Sequence, residues 1–411
     1  MKSNQQRVAR NIALLYITNF LSNFRLNAPI LILYLQQQTG SFTAAMSLLS
    51  CLMIGASLLD IPTGALADLV GRKTSIVLGW FFGLLHLSLM ATGGSYALLL
   101  LSMLMASAGM ALGSGANTAM LYDSLVELQR ESEYKKVSGR VNGLLTLALG
   151  IAALFGSSLA TISLSLPFWV QLLPQCLGLL LTFFLAEPAY HKPFLTDDLN
   201  LASGRLHSKS SRSRMIAHSF QAAKVILENK QLLLLLLLMS LSFAVGETVA
   251  VIIPQWYQSN MPLVAIGFAF TGAYVASALG SFCAAKISAR FGDLPILFIS
   301  ILCSFVITMS ATFLTGPIAV AFAVSVTFFY GVRWPILDFL INRQVASSQR
   351  ATIGSFGGVL QRSSYAIIAL AAGILTDKLG VAMSMQCLML LLGTGIFLLL
   401  LLKPTRVKAL P

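Results

Sequence analysis

Asp60-Ile61-Pro62-Thr63-Gly64-Ala65-Leu66-Ala67-Asp68-Leu69-Val70-Gly71-Arg72-Lys73 follows one long apolar run and precedes another. The stretch reads as a helix end, a tight turn and a new helix start. Gly64 lacks a side chain and permits a neighbouring helix to come close. Gly71 is suited to the positive φ of a turn between two helices. Asp68 is placed to accept from the free N–H groups of the following helix start. Arg72 and Lys73 hold this turn on the cytoplasmic side of a membrane.

Working outward, the same alternation continues along all 411 residues. Hydrophobic residues make up 57% and charged residues 10%, against about 45–50% and about 25% in soluble domains. Mean hydropathy is +0.82. This balance excludes an ordinary soluble enzyme, a disordered chain, a coiled coil and a nucleic-acid-binding domain. The net charge of +13 sits between the apolar runs, where it orients spans and does not form a polyanion-binding face.

A helix crossing the hydrocarbon core needs roughly 20 apolar residues. Twelve runs meet that length, near 12–35, 44–67, 74–92, 96–121, 141–164, 166–186, 231–253, 262–285, 294–314, 317–341, 351–376 and 380–402. Period-2 alternation is absent, so the spans are expected to be helices. The expected architecture is an all-α polytopic membrane protein of twelve helices. Its N-terminal six-helix bundle is 1–186, its cytoplasmic linker 187–230 and its C-terminal bundle 231–411. The first run is too long for a signal-peptide core, and no cleavable leader is expected.

Lys and Arg fix the orientation. One side carries Lys2, Arg7 and Arg10, then Arg72 and Lys73, then Arg130, Lys135, Lys136 and Arg140. The basic residues of 192–230, Lys286, Arg290, Arg343, Arg350 and Lys403 to Lys408 fall on the same side, and Lys378 alone on the other. Both termini are expected in the cytoplasm. The linker includes the basic run Ser208 to Arg214, and Met215 to Asn229 is a candidate interfacial helix.

Gly64-x-x-x-Asp68-x-x-Gly71-Arg72-Lys73 resembles the cytoplasmic loop signature of the major facilitator superfamily, and the Asp-x-Pro-Thr-Gly lead-in resembles its exporter-type branches. Ser114-Gly115-Ala116 with Leu121-Tyr122-Asp123-Ser124-Leu125, Lys135-Lys136-Val137-x-Gly139-Arg140, Glu187-Pro188 and Arg350-Ala351-Thr352 extend the resemblance. It implies two six-helix bundles rocking around a central site. It also implies that Asp68, Arg72 and Asp123 take part in a charge network that latches the cytoplasmic side. In the second half, Lys286 to Asp293 keeps Gly292 and a neighbouring base but lacks the acidic member, so the latch is expected to be asymmetric. Span five, Leu147 to Phe155 and Gly156, lacks the proline of the superfamily's antiporters.

Ionisable residues inside spans are costly and therefore informative. Aligning Gly71 with Gly292 brings Arg25 of span one within one residue of Glu247 of span seven. An Arg25–Glu247 pair, or a substrate bridging the two, is the functional reading; a fixed structural pair is the alternative. Asn23 and Asn27 flank Arg25 as candidate substrate or proton ligands. Asp60, Arg333, Asp338 and Arg362 lie toward the cytoplasmic ends of their spans and read as gating or structural groups, with Asp338 in reach of Arg362. Asn19, Tyr34, Asn117, Tyr122, Asn142, Gln171, Gln175, Gln255 and Tyr274 stand at cavity depth. Trp256 reads as an interface anchor and His86 as a satisfied buried histidine. Gly109-x-x-x-Gly113 and Gly139-x-x-x-Gly143 suit close helix packing.

No nucleophile–base set, phosphate loop or metal-ligand spacing appears, so neither an enzyme nor a cofactor is expected. Cys51, Cys176, Cys283, Cys303 and Cys387 read as small buried hydrophobes. The expected function is a secondary active transporter of the bacterial cell membrane with protons as the coupling ion; export of a small organic molecule is what the resemblance to exporter-type branches implies. The bilayer is its environment and a monomer its expected state. Uptake or facilitated diffusion of an anionic or zwitterionic solute is the alternative, favoured by the basic interior that Arg25 and Arg333 create.

Overall fold

A computed structural model of the chain describes residues 2–188, 226–345 and 349–402. The basic run Ser208 to Arg214 and most of the Met215 to Asn229 segment lie outside the described residues, as does the side chain of Asp68. No strand occurs among the described residues.

The helices are α1 (Lys2–Asn23), α2 (Leu31–Thr39), α3 (Phe42–Val70), α4 (Arg72–Thr92), α5 (Tyr96–Glu127), α6 (Tyr134–Ala160) and α7 (Leu166–Thr182). They continue with α8 (Lys230–Gln258), α9 (Leu263–Phe291), α10 (Asp293–Phe313), α11 (Gly316–Arg343), α12 (Arg350–Leu379) and α13 (Val381–Leu400). Ten are long and apolar enough to cross a membrane. The other two expected spans are the 17-residue α7 and the first run, which is broken.

That break is the main departure from the expected spans. The apolar run through 12–35 is interrupted between Asn23 and a short 3-10 turn at Ala28–Ile30. Asn19 Nδ2 donates to Leu15 O, and Ser22 Oγ and Asn23 Nδ2 both donate to Asn19 O. These side chains compete for carbonyls near the helix end. Pro29 has no N–H to continue the ladder and disfavours a helical Ala28.

The chain forms two compact units, Met1–Leu206 with Pro262–Thr271 and His207–Met261 with Gly272–Pro411. In the first, α4 and α5 meet through glycine. A Cβ at Gly79 would lie 3.1 Å from Gly109 O, and one at Gly109 would lie 2.9 Å from Gly79 O. The Gly109-x-x-x-Gly113 expectation therefore holds. A Cβ at Gly139 or Gly143 would meet nothing within 4 Å among the described residues, so that pair does not mediate packing here. Gly178 of α7 seats the Trp80 ring, and Gly156 of α6 lies against Leu26 O at the break. In the second unit, Gly280 of α9 faces Phe328 O and Gly331 of α11 faces Ser277 O. Many large apolar side chains point outward, Phe282 at 83% exposure among them, as lipid-facing positions do.

The expected internal repeat is visible in the backbone. Gly71 between α3 and α4 has φ 98° and ψ 154°; Gly292 between α9 and α10 has φ 87° and ψ 154°. Both conformations lie where a side chain is strained.

Candidate functional site

The loop of the opening motif is tied down by more than its own residues. Arg72 Nε stands 3.8 Å from Asp123 Oδ2 of α5, with side-chain exposures of 20% and 14%. The backbone N–H groups of Arg72 and Lys73 donate to Glu187 Oε1 and Oε2 at 2.7 and 2.8 Å. An anion at a helix start is favoured by the free N–H groups and the helix dipole. These are the first-turn donors for which the sequence suggested Asp68, and Glu187 from beyond α7 supplies the carboxylate.

The end of α7 is held in turn. Arg10 Nη2 donates to Phe184 O and Lys73 Nζ to Phe183 O, at 2.9 and 2.7 Å. Cations there complement the terminal carbonyls. Asn11 of α1 accepts from Ala186 N, and its amide group reaches Ala186 O and Ser124 Oγ. Asn11 is fully buried, so this amide joins α1, α5 and the segment after α7. Nearby, Arg130 pairs bidentately with Glu133 at 2.8 Å on both arms. The pair holds the exposed Glu133 carboxyl below its usual range through that hydrogen bond.

Gly64 behaves differently from its expectation. A Cβ there would meet nothing within 4 Å among the described residues, so no helix uses the close approach it permits. Asp60 is half-buried, and its carbonyl accepts from Thr63 Oγ1 at 3.3 Å.

Arg25 sits in the break between α1 and α2. It is exposed, Nε reaches Ser22 O at 3.5 Å, and among the described residues of its own unit it makes no ion pair. Asn27 is buried, and its N–H donates to Gln171 Oε1 at 3.3 Å. Asn23 bonds back to Asn19 O. Neither asparagine is thus committed to Arg25. The Arg25 charge acts on His86 of α4, whose Nδ1 lies 2.8 Å from Ser102 Oγ. His86 is satisfied, as the sequence suggested.

Several polar positions expected at cavity depth are packing groups. Tyr34 is 1% exposed, tilts against Phe168 at 4.5 Å, and donates to Met90 O. Gln175 Nε2 donates to Trp80 O, and Asn117 Nδ2 to Gly113 O. Trp256 is buried at 6% exposure and is not an exposed anchor.

In the second unit, Glu247 of α8 is half-buried, and its charge acts on Tyr330 of α11 and Tyr365 of α12. Arg333 is 3% exposed; Nη2 donates to Ser304 Oγ at 2.9 Å and Nη1 to Ser242 Oγ at 3.5 Å. Its buried Nε has no partner among the described residues. Asp338 lines a cavity of about 130 Å³ with Asn342, Arg350 and Gln361. Arg362 does not line it, and Asp338 makes no ion pair among the described residues. Adjacent residues on a helix point about 100° apart, and Gln361 takes the facing position on α12.

Sequence reasoning missed the cap role of Glu187 and the Asn11 bridge. A carboxylate beside a proline just past an apolar run was the available signal.

Helices of this length and polarity, in two units with paired glycine turns, define a multi-pass α-helical membrane protein. The chain belongs to the Major Facilitator Superfamily, whose family model matches residues 12–367; it is a transporter and not an enzyme. Similar solved structures include the nucleoside transporter NupG, 15% identical with a TM-score of 0.73, covering 96% of this chain and 97% of that one. A peptide transporter POT in complex with sulfate is 14% identical with a TM-score of 0.73, over 95% and 94% of the two chains. A D-xylose–proton symporter is 13% identical with a TM-score of 0.69, over 94% and 95%. At these identities the likeness concerns the fold. No curated protein sequence matches.

Proposed function

We propose that this transporter exports a small organic solute across the cell membrane by alternating access, with protons as the coupling ion. Glu247 carries the reading. A carboxylate within a span is expensive to keep charged, and the charge of this one acts on Tyr330 and Tyr365. It also stands one residue from the repeat position that answers to Arg25. A group so placed can hold a proton in one state and release it in the other. Both termini and the 187–230 linker face the cytoplasm, where Arg72, Asp123 and Glu187 hold the gating loop. The protein acts as a monomer in the bilayer.

The test uses everted membrane vesicles and a panel of organic solutes. Accumulation that collapses when a protonophore dissipates the gradient supports coupled export. Equilibration unaffected by the protonophore supports the second reading, facilitated diffusion of an anionic or zwitterionic solute, which the exposed guanidinium of Arg25 favours.

A further inference from the structure

We propose that the second unit carries a binding site for a small zwitterion of the aliphatic α-amino-acid kind, in the cavity that Asp338 and Asn342 of α11 line together with Arg350 and Gln361 of α12. Glu247 does not line this cavity. The site therefore goes beyond the transport reading and stands whichever way solute moves.

Asp338 and Asn342 are four residues apart on α11, and Arg350, Gly354, Gly357 and Gln361 recur at steps of three or four on α12, so each set stands on one helix face. Leu236 and Met239 of α8, with Ile353, give the cavity a buried apolar wall. Asp338 and Arg350 are exposed, so the charged side opens to solvent. A Cβ at Gly354 would meet nothing within 4 Å among the described residues, which leaves that part of the lining clear.

Size and charge together select the ligand. The volume of about 130 Å³ is roughly ten times what one ordered water requires and below the ~300 Å³ at which pockets for drug-sized molecules begin. Empty cavities in proteins are apolar, whereas this one is lined by an acid, a base and two amides. The two opposite charges share one small space yet make no ion pair among the described residues. A zwitterion satisfies both, its carboxylate taking the Arg350 guanidinium and its ammonium the Asp338 carboxylate. A ligand with one charge satisfies one of them and meets the like charge of the other. The apolar wall then receives an aliphatic side chain. Because the lining comes from α8, α11 and α12, a bound ligand ties three helices together at one end of the unit.

The probes are L-valine and its two single-charge analogues, isobutylamine and 3-methylbutanoate, titrated calorimetrically into the purified full chain in detergent. Valine is expected to bind about ten-fold tighter than either analogue or more, and to raise the melting midpoint of the parent chain. Arg350→Gln should erase the preference for valine over isobutylamine, and Asp338→Asn the preference for valine over 3-methylbutanoate. Gly354→Leu fills the cavity with a better helix former and should abolish valine binding while keeping a cooperative melting transition like that of the parent chain. No measurable valine binding to the parent chain, an analogue that binds as tightly as valine, or unchanged valine binding in Gly354→Leu each overturns the site.

Discussion

Replacing Glu187 by alanine tests the account of how the signature loop is held. The carboxylate takes two backbone donors at 2.7 and 2.8 Å, both charge-assisted and both in the first turn of α4. Losing a single side-chain cap costs about 0.5–2 kcal/mol, and a favourable anion near a helix start is worth up to about 2 kcal/mol. Half-burial of Glu187 limits solvent replacement of the lost acceptor, so the expected cost is about 2–3 kcal/mol. For a unit of this size that corresponds to a fall of about 5–10 °C in melting midpoint. Thermal unfolding followed by tryptophan fluorescence in detergent reads it directly, since Trp80 and Trp169 lie in the first unit. Glu187→Gln keeps acceptor capacity without the charge and should lose about half as much. Gly71→Ala should not add fully to Glu187→Ala, because a Cβ at Gly71 would meet the Glu187 carboxyl carbon at 3.1 Å. A Glu187→Ala midpoint indistinguishable from the parent chain would refute the reasoning, as would equal losses from alanine and glutamine.

Other substitutions probe separate elements. Gly156→Ala places a Cβ 1.8 Å from Leu26 O; a backbone carbonyl cannot swing aside, and a loss of about 3 kcal/mol is expected in thermal unfolding. An Arg72→Ala, Asp123→Ala double-mutant cycle should give a coupling of only about 0.5 kcal/mol, because the single contact spans 3.8 Å and is partly exposed. Arg333→Met removes a buried charge whose Nε has no partner among the described residues; its melting midpoint should hold or rise, by up to about 4 kcal/mol of stability.

Much of the fold was legible because lipid imposes a simple rule. Backbone groups must be paired within the chain, so apolar length alone announces a helix. The repeat was legible through Gly71 and Gly292, where a turn demands a backbone conformation glycine tolerates best. The break after Asn23 was not, because hydropathy averages over it; its causes are Pro29 and a run of side chains that bond back to carbonyls. Within the site, a polar residue in a span announces only that it needs a partner. Tyr34 and Gln175 found theirs in Met90 and Trp80 carbonyls, whereas Arg25 stayed exposed. Helix phase and packing distance decide between those outcomes, and neither can be read from one sequence. Glu187 escaped for the same reason: its partners are backbone donors 114 and 115 residues away.

The most direct measurement of the central claim is proton movement with and without the Glu247 carboxyl. Protein in liposomes loaded with a pH-sensitive dye is given a transported solute, and solute exchange is followed in parallel. The account predicts solute-driven proton movement in the parent chain and none in Glu247→Gln, with solute-for-solute exchange still measurable in both when the solute is supplied at saturating concentration. Undiminished proton movement in Glu247→Gln would contradict it.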